Sequence, residues 1–254
     1  MSLSANAKRL SISTGLYRPA RWLTRRIRPD MLQTHRGYVD FYKSLIPADA
    51  LCFDVGANVG EISEALLHAG GRVVAFEPNP LVTPELWARC GHREGWSVVE
   101  AAVGSEGAIT TLFAREAHNQ TSLVSDWEGK VIGAFHVPVV TLDSAIRCFG
   151  LPAYIKIDVE GWELEVMNGL SRAIPLLSFE FHLSEAENEK TRSCLHRLSG
   201  LGAHLVNITA AETPAFHFQE WLTPDQFLGW FPDGLKGSFP GNYGDIYIKS
   251  RGEV

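Results

Sequence analysis

The sequence is short of several things, and each shortage narrows what the chain can be. Only four cysteines occur in 254 residues, Cys52, Cys90, Cys148 and Cys194, and no two form a C-x-x-C pair. That argues against a zinc knuckle or a disulfide framework. Each cysteine falls in or at the end of an expected element, as a small buried hydrophobe would, which fits a reducing compartment. No apolar run approaches the roughly 18 residues of a membrane span. The first 30 residues lack the continuous apolar core of a secretory signal, so a cytoplasmic protein is expected. Repeats and low-complexity segments are missing. So are a G-x-G-x-x-G turn, a Walker lysine and an Asn/Asp-Pro-Pro-aromatic stretch, the usual signatures of dinucleotide binding, P-loop chemistry and base amino-methylation.

What is present is ordinary in amount and uneven in placement. Apolar residues make up 45% and charged residues 20%, enough for one large α/β domain. The net charge of −6 hides an asymmetry. Residues 1–30 carry Lys8, Arg9, Arg18, Arg21, Arg25, Arg26 and Arg28 against Asp30 alone. We therefore divide the chain into a basic extension, 1–34, and a main domain, 35–254. The extension reads as a solvated arm, as a transit segment, or as a peripheral contact to an anionic membrane. The acidic main body argues against a broad nucleic-acid surface, which needs clustered Lys and Arg.

Strands and helices alternate along the main domain. A helix is expected over Asp30–Ile46, then a strand–glycine turn–helix–strand unit over Leu51–Glu77. Thr83-Pro84 opens a helix to Cys90, with Thr83 as its N-cap. Ser97–Val103 reads as a third strand, Ala108–Phe113 as an added antiparallel strand and Val137–Thr141 as another. A short helix follows from Asp143 to Phe149. Ala153–Asp158 and Pro175–His182 are core strands, with a helix to Asn168 between them. Ser184 with Glu187 looks like a capping box opening a helix to Leu201. Ala203–Ile208 is a strand, and Asp245–Lys249 a final edge strand. This order implies a doubly wound, mostly parallel sheet. Ligands in such sheets sit at the carboxyl ends of the strands where strand order reverses. That rule selects Gly56–Gly60, Glu77, Ala101–Val103, Asp158–Gly161 and His182 as one neighbourhood.

The first turn reads Asp54-x-Gly56-x-x-x-Gly60, without the middle glycine that lets backbone meet a pyrophosphate. Asp54 would repel a pyrophosphate but suits a cationic ligand. S-adenosylmethionine carries a sulfonium and an ammonium. Asp54 can serve its amino-acid end and Glu77 its ribose hydroxyls. The plainer alternative makes Asp54 and Gly56 turn formers and Glu77 a solvated cap.

Five stretches in order, FDVGANVGE, VVAFEPNP, VVTLD, IKIDVEGWELEVMNGL and the late GDIYI, closely resemble the FkbM-type family of S-adenosylmethionine-dependent methyltransferases. The resemblance covers about Leu51–His182 and the last strand. It implies a class I methyltransferase fold, a Rossmann-like seven-stranded sheet with an antiparallel last strand. It also implies O-methylation of a hydroxyl on a sugar, glycolipid, polyketide or related product, with S-adenosylhomocysteine left behind. Asp54, Gly56, Ala57, Asn58, Gly60, Glu77, Pro78, Asn79, Ala101, Ala102 and Asp158 are then the expected donor-binding residues.

A hydroxyl acceptor must lose a proton, so a general base is expected. His182 or Glu160 is the candidate, with Asp158 ordering the site or contacting the donor's amino group. Glu180 shares the face of His182, and Lys156 shares that of Asp158. A divalent cation held by Asp158, Glu160 and His182 is conceivable, but no spacing dictates it and no metal ligand is assigned. Two segments can cover the acceptor. Ala114–Lys130 holds His118, Asn119, Gln120, Thr121 and Ser122; Phe216–Tyr243 is rich in aromatics and reads first as core under a long loop. Alternatives are a nucleic-acid methyltransferase using the basic arm and a donor-binding module without turnover.

Overall fold

The computed structural model describes residues 29–116, 121–125, 129–211, 213–235, 239 and 241–251. The basic residues of positions 1–28, and His118, Asn119 and Gln120, lie outside them. The described residues form ten strands: β1 (Leu51–Val55), β2 (Arg72–Phe76), β3 (Trp96–Val99), β4 (Ala102–Val103), β5 (Ala108–Arg115), β6 (Val131–Val140), β7 (Tyr154–Ile157), β8 (Leu176–His182), β9 (His204–Ala210) and β10 (Tyr243–Ser250). The α-helices are α1 (Pro29–Leu45), α2 (Glu61–His68), α3 (Thr83–Cys90), α4 (Leu142–Phe149), α5 (Glu163–Asn168), α6 (Glu185–Ser199) and α7 (Pro224–Trp230). α1 runs through position 34, where the sequence reading set its border.

Seven strands form the main sheet in the order β3-β2-β1-β7-β8-β10-β9. Every pairing is parallel except those of β10, which runs against both β8 and β9. This is the expected class I methyltransferase arrangement. β10 is not an edge strand, however. Its alternation looks half-exposed, but it sits between two neighbours, and Ile246, Tyr247 and Ile248 are all buried. β9 takes the edge.

Alternate residues serve opposite faces of the sheet, as the two-residue strand period requires. Phe53, Val55, Ile155, Ile157, Phe179 and Phe181 pack with α4, α5 and α6 on one face. Cys52, Val73, Tyr154, Leu176 and Tyr247 pack against Phe41 and Tyr42 of α1 and Leu66 of α2 on the other. A fully buried Phe of this kind stabilises the fold by roughly 1.5–3 kcal/mol. Both faces are covered, so the sheet tolerates continuous apolar strands.

Several local expectations need correcting. The third strand breaks at Glu100: β3 stays in the main sheet, while β4 pairs with β6 in a separate three-stranded sheet, β4-β6-β5. Ala101 N–H turns back to the Val99 carbonyl at 2.9 Å, which ends the main-sheet pairing. The N-cap of α3 is Val82, and Thr83 lies inside the helix with its hydroxyl donated to the Asn79 carbonyl at 2.9 Å. Ser184 caps α6 by accepting from Glu187 N–H, while the Glu187 carboxylate pairs with Lys190. Cys52, Cys90 and Cys194 are buried with thiols pushed up to about 12 by burial, but Cys148 is exposed. All four are free thiols. In the aromatic stretch, Phe227, Phe231 and Phe239 are core. Among the described residues no helix is long and apolar enough to cross a membrane.

Candidate active site

Strand order reverses between β1 and β7, and the crevice beyond their carboxyl ends gathers most of the expected residues. The Gly56–Gly60 turn leaves β1 with three residues at positive φ: Gly56 at 85°, Asn58 at 50° and Gly60 at 82°. Both glycines are favoured by their positive φ, and Gly56 is also required by backbone packing. A Cβ on Gly56 would stand 1.8 Å from the Asp158 carbonyl oxygen, and one on Gly60 would stand 2.7 Å from Leu86 Cδ1. The turn is thus locked against β7 and α3.

Glu77 closes β2 under this turn and is buried. One carboxylate oxygen accepts from Asn58 N–H and the other from Asn79 N–H, each at 2.7 Å. Burial pushes its carboxyl up to about 7 in spite of these two donors. Each oxygen keeps a second acceptor direction for a ligand hydroxyl. Asp54 lies in β1, 2% exposed, and accepts from Ser63 Oγ of α2 at 2.5 Å. Burial pushes it up to about 6. Asn79 fixes its own orientation by accepting from Leu81 N–H through Oδ1. Pro78 lies between Glu77 and Asn79. Ala57 packs with Ala75, Leu86 and Cys90 below the turn. Ala101 and Ala102 are buried at the start of the second sheet, where Ala102 packs on Leu112 and Val137.

The other half of the crevice belongs to β7, β8 and β10. Lys156, 3% exposed, bonds Asp245 at 2.7 Å and Asp158 at 3.4 Å. These carboxylates hold its ammonium charged, well above the usual lysine value, against the cost of burial. Above this pair, Glu180 Oε2 meets His182 Nε2 at 3.1 Å, and the His182 ring stacks on Tyr243 with centroids 5.7 Å apart. Burial, then the nearby Asp158, pushes Glu180 up to about 7. The bond to Glu180 raises His182. Glu160, Glu180 and His182 bring ligating atoms within 4.8 Å of one another. The set weighed from sequence held Asp158 instead of Glu180. Two carboxylates and an imidazole have the donor chemistry of a divalent-cation site.

The loop after β7 carries Asp158 and Glu160, and Glu160 holds φ at 52°. Glu163, buried at the start of α5, accepts from Gly161 N–H at 3.1 Å and Val159 N–H at 3.4 Å and pairs with Lys190. Ser122 donates to the Glu160 carbonyl at 2.6 Å. Sequence reading does not single out Glu163, and it sees Tyr243 only as one aromatic of the Phe216–Tyr243 segment and Ser122 only as one polar residue in a long segment. Glu163 had a usable signal: an acidic residue in a first helical turn just after a glycine.

Comparison with known proteins agrees with this architecture. A family model described as "Methyltransferase FkbM domain" matches residues 54–221. The hexuronic acid methyltransferase AglP of Haloferax volcanii is 29% identical over 152 residues, which span 57% of this chain and 61% of that relative. Solved structures with a similar course include a precorrin-6y C5,15-methyltransferase of Geobacter metallireducens (10% identity, TM-score 0.46, covering 84% of this chain and 86% of that one). A TehB-like methyltransferase of Corynebacterium glutamicum is comparable (12%, 0.43, 85% and 88%). These structural likenesses are distant.

Proposed function

The chain belongs to the FkbM methyltransferase family, and from that premise we propose that it moves a methyl group from S-adenosylmethionine to a hydroxyl of a sugar-like acceptor. The observation that carries the acceptor side is the close grouping of Glu160, Glu180 and His182 at the crevice edge. The observation that fits the donor is Glu77, whose carboxylate is fixed by two backbone N–H groups at the end of β2 and can accept from two ribose hydroxyls. Asp54, Gly56, Ala57, Asn58, Gly60, Pro78, Asn79, Ala101, Ala102 and Asp158 complete the donor side in this reading. Asp54, held by Ser63 of α2, serves the amino-acid end of the donor in this reading.

When bound, the donor supplies an activated sulfonium methyl. The chain's contribution is position, dryness and a place for the acceptor's proton. With His182 Nε2–H donated to Glu180, Nδ1 carries the lone pair that takes the proton from the hydroxyl. Glu180 steadies the ring and the cation that forms on it, the role a buried carboxylate plays behind a catalytic imidazole. Glu160 lines the acceptor side, and Asp158 orders the floor through Lys156.

A sugar acceptor draws support from the name of the Haloferax volcanii relative. The test is methyl transfer from labelled donor to a panel of hexuronic acid glycosides, neutral glycosides, glycolipids and a structured RNA, with and without chelator. We expect a base-stable methyl ether on a glycoside, undiminished by EDTA. Transfer only to RNA, or transfer abolished by chelation and restored by a divalent ion, would overturn the acceptor or the base assignment respectively.

A further inference from the structure

One short segment touches both halves of the crevice. Residues 121–125 return antiparallel to the end of β5 through a bridge between Phe113 and Ser122. Arg115 clamps them. Its guanidinium is buried, donating to the carbonyls of Phe113 at 3.0 Å, Val124 at 2.9 Å and Ser125 at 3.2 Å. The Thr121 hydroxyl oxygen accepts from Arg115 N–H at 3.3 Å and from Asn79 Nδ2 at 3.4 Å. Ser122, 1% exposed, accepts from Val124 N–H at 3.0 Å and donates to the Glu160 carbonyl. A path therefore runs from the Glu77 carboxylate by hydrogen bonds through Asn79 to Thr121, across the peptide link to Ser122, and by a further hydrogen bond to Glu160. Glu160 sits in the left-handed region, which a non-glycine residue holds only when its surroundings fix it. The Ser122 bond supplies part of that fixing, and it is buried and fully used.

We propose that Ser122 is a positioning residue for Glu160, and that segment 121–125, clamped by Arg115, makes donor binding at Glu77 set the loop that faces the acceptor. The inference rests on the donor reading above. Filling the donor side tightens Glu77 and Asn79, Asn79 holds Thr121, and Ser122 then holds the Glu160 backbone in place. The device would keep the acceptor side loosely set until the donor is bound.

The test is hydrogen exchange by mass spectrometry on the full chain with S-adenosylhomocysteine as probe, beside calorimetry of the same probe. In the wild type, saturating probe should slow exchange in peptides covering 121–125 and 158–162. In Ser122→Ala the slowing at 158–162 should shrink by roughly fivefold, the worth of about one hydrogen bond, while slowing at 121–125 persists and affinity changes less than about threefold. Ser122→Thr, which keeps the hydroxyl, should restore it. Thr121→Val reads the same coupling from the other end, should lose the slowing at both peptides, and serves if Ser122→Ala does not fold. Probe that binds the wild type without slowing 158–162, or slowing that is unchanged in both variants, overturns the coupling alone. A wild type that binds no probe overturns the donor reading and the coupling with it.

Discussion

Glu180 and His182 stand two residues apart on one face of β8 and share a 3.1 Å hydrogen bond at the carboxyl edge of the sheet. Each raises a demand on the other. The carboxylate holds the imidazole above its ordinary value, so the proposed base is more protonated near neutrality than a solvated histidine. Transfer should therefore increase with pH as His182 loses its proton. Glu180→Gln removes the charge that raises His182, so the rising limb should move to lower pH while the maximal rate falls. A pH–rate series on the two proteins checks this; an unmoved limb would take Glu180 out of the mechanism.

Glu77 gives a second pH dependence with the opposite observable. Its folded value, about 7, lies above the ordinary carboxylate value. Its contribution to stability is therefore present at low pH and is lost as pH rises through about 7, on the order of 3 kcal/mol in the free protein. Donor hydroxyls favour the ionised form. S-adenosylhomocysteine affinity should thus increase with pH up to and slightly beyond 7, with proton release near neutrality. Calorimetry in two buffers of different ionisation heat measures that release.

Lys156 is the cation between Asp158 and Asp245 beneath the site. Lys156→Met should leave two facing carboxylates poorly compensated and cost about 3–5 kcal/mol. Adding Asp245→Asn should recover part of the loss. Denaturant unfolding of the three proteins gives the comparison.

Gly56 has two independent reasons to be glycine, a φ of 85° and the Asp158 carbonyl 1.8 Å from where a Cβ would stand. Gly56→Ala should cost at least about 3 kcal/mol, and thermal unfolding should show a fall of about 10 °C. Gly70, whose added Cβ would meet no atom within 4 Å, has only its φ of 96° against substitution and should tolerate Ala better.

These contrasts also explain what the sequence could and could not tell. The Leu51–Phe76 unit was legible because apolar runs and glycines mark its borders without help from distant residues. Glu180 and His182 were legible as neighbours because strand period alone puts them on one face. The break at Glu100 was not legible: VVEAAV has one continuous strand-like pattern, and only pairing of Ala102 and Val103 with Val139 and Val140 splits it. The inner place of β10 was hidden because Asp245 and Lys249 look like the polar half of an edge. Asp245 is polar for another reason, its ion pair with Lys156 across β8. Ser122 and Glu163 act on the backbone of a loop far away or just before, and no periodicity reports a hydrogen bond to a carbonyl or an N–H.

The most direct test of the account is calorimetric titration of S-adenosylhomocysteine into the wild type and Glu77→Ala. The account predicts one site per chain in the wild type and at least a tenfold loss in the variant, the worth of one to two charge-assisted hydrogen bonds, with the fold intact by circular dichroism. No binding to the wild type, or equal binding to both proteins, would contradict it.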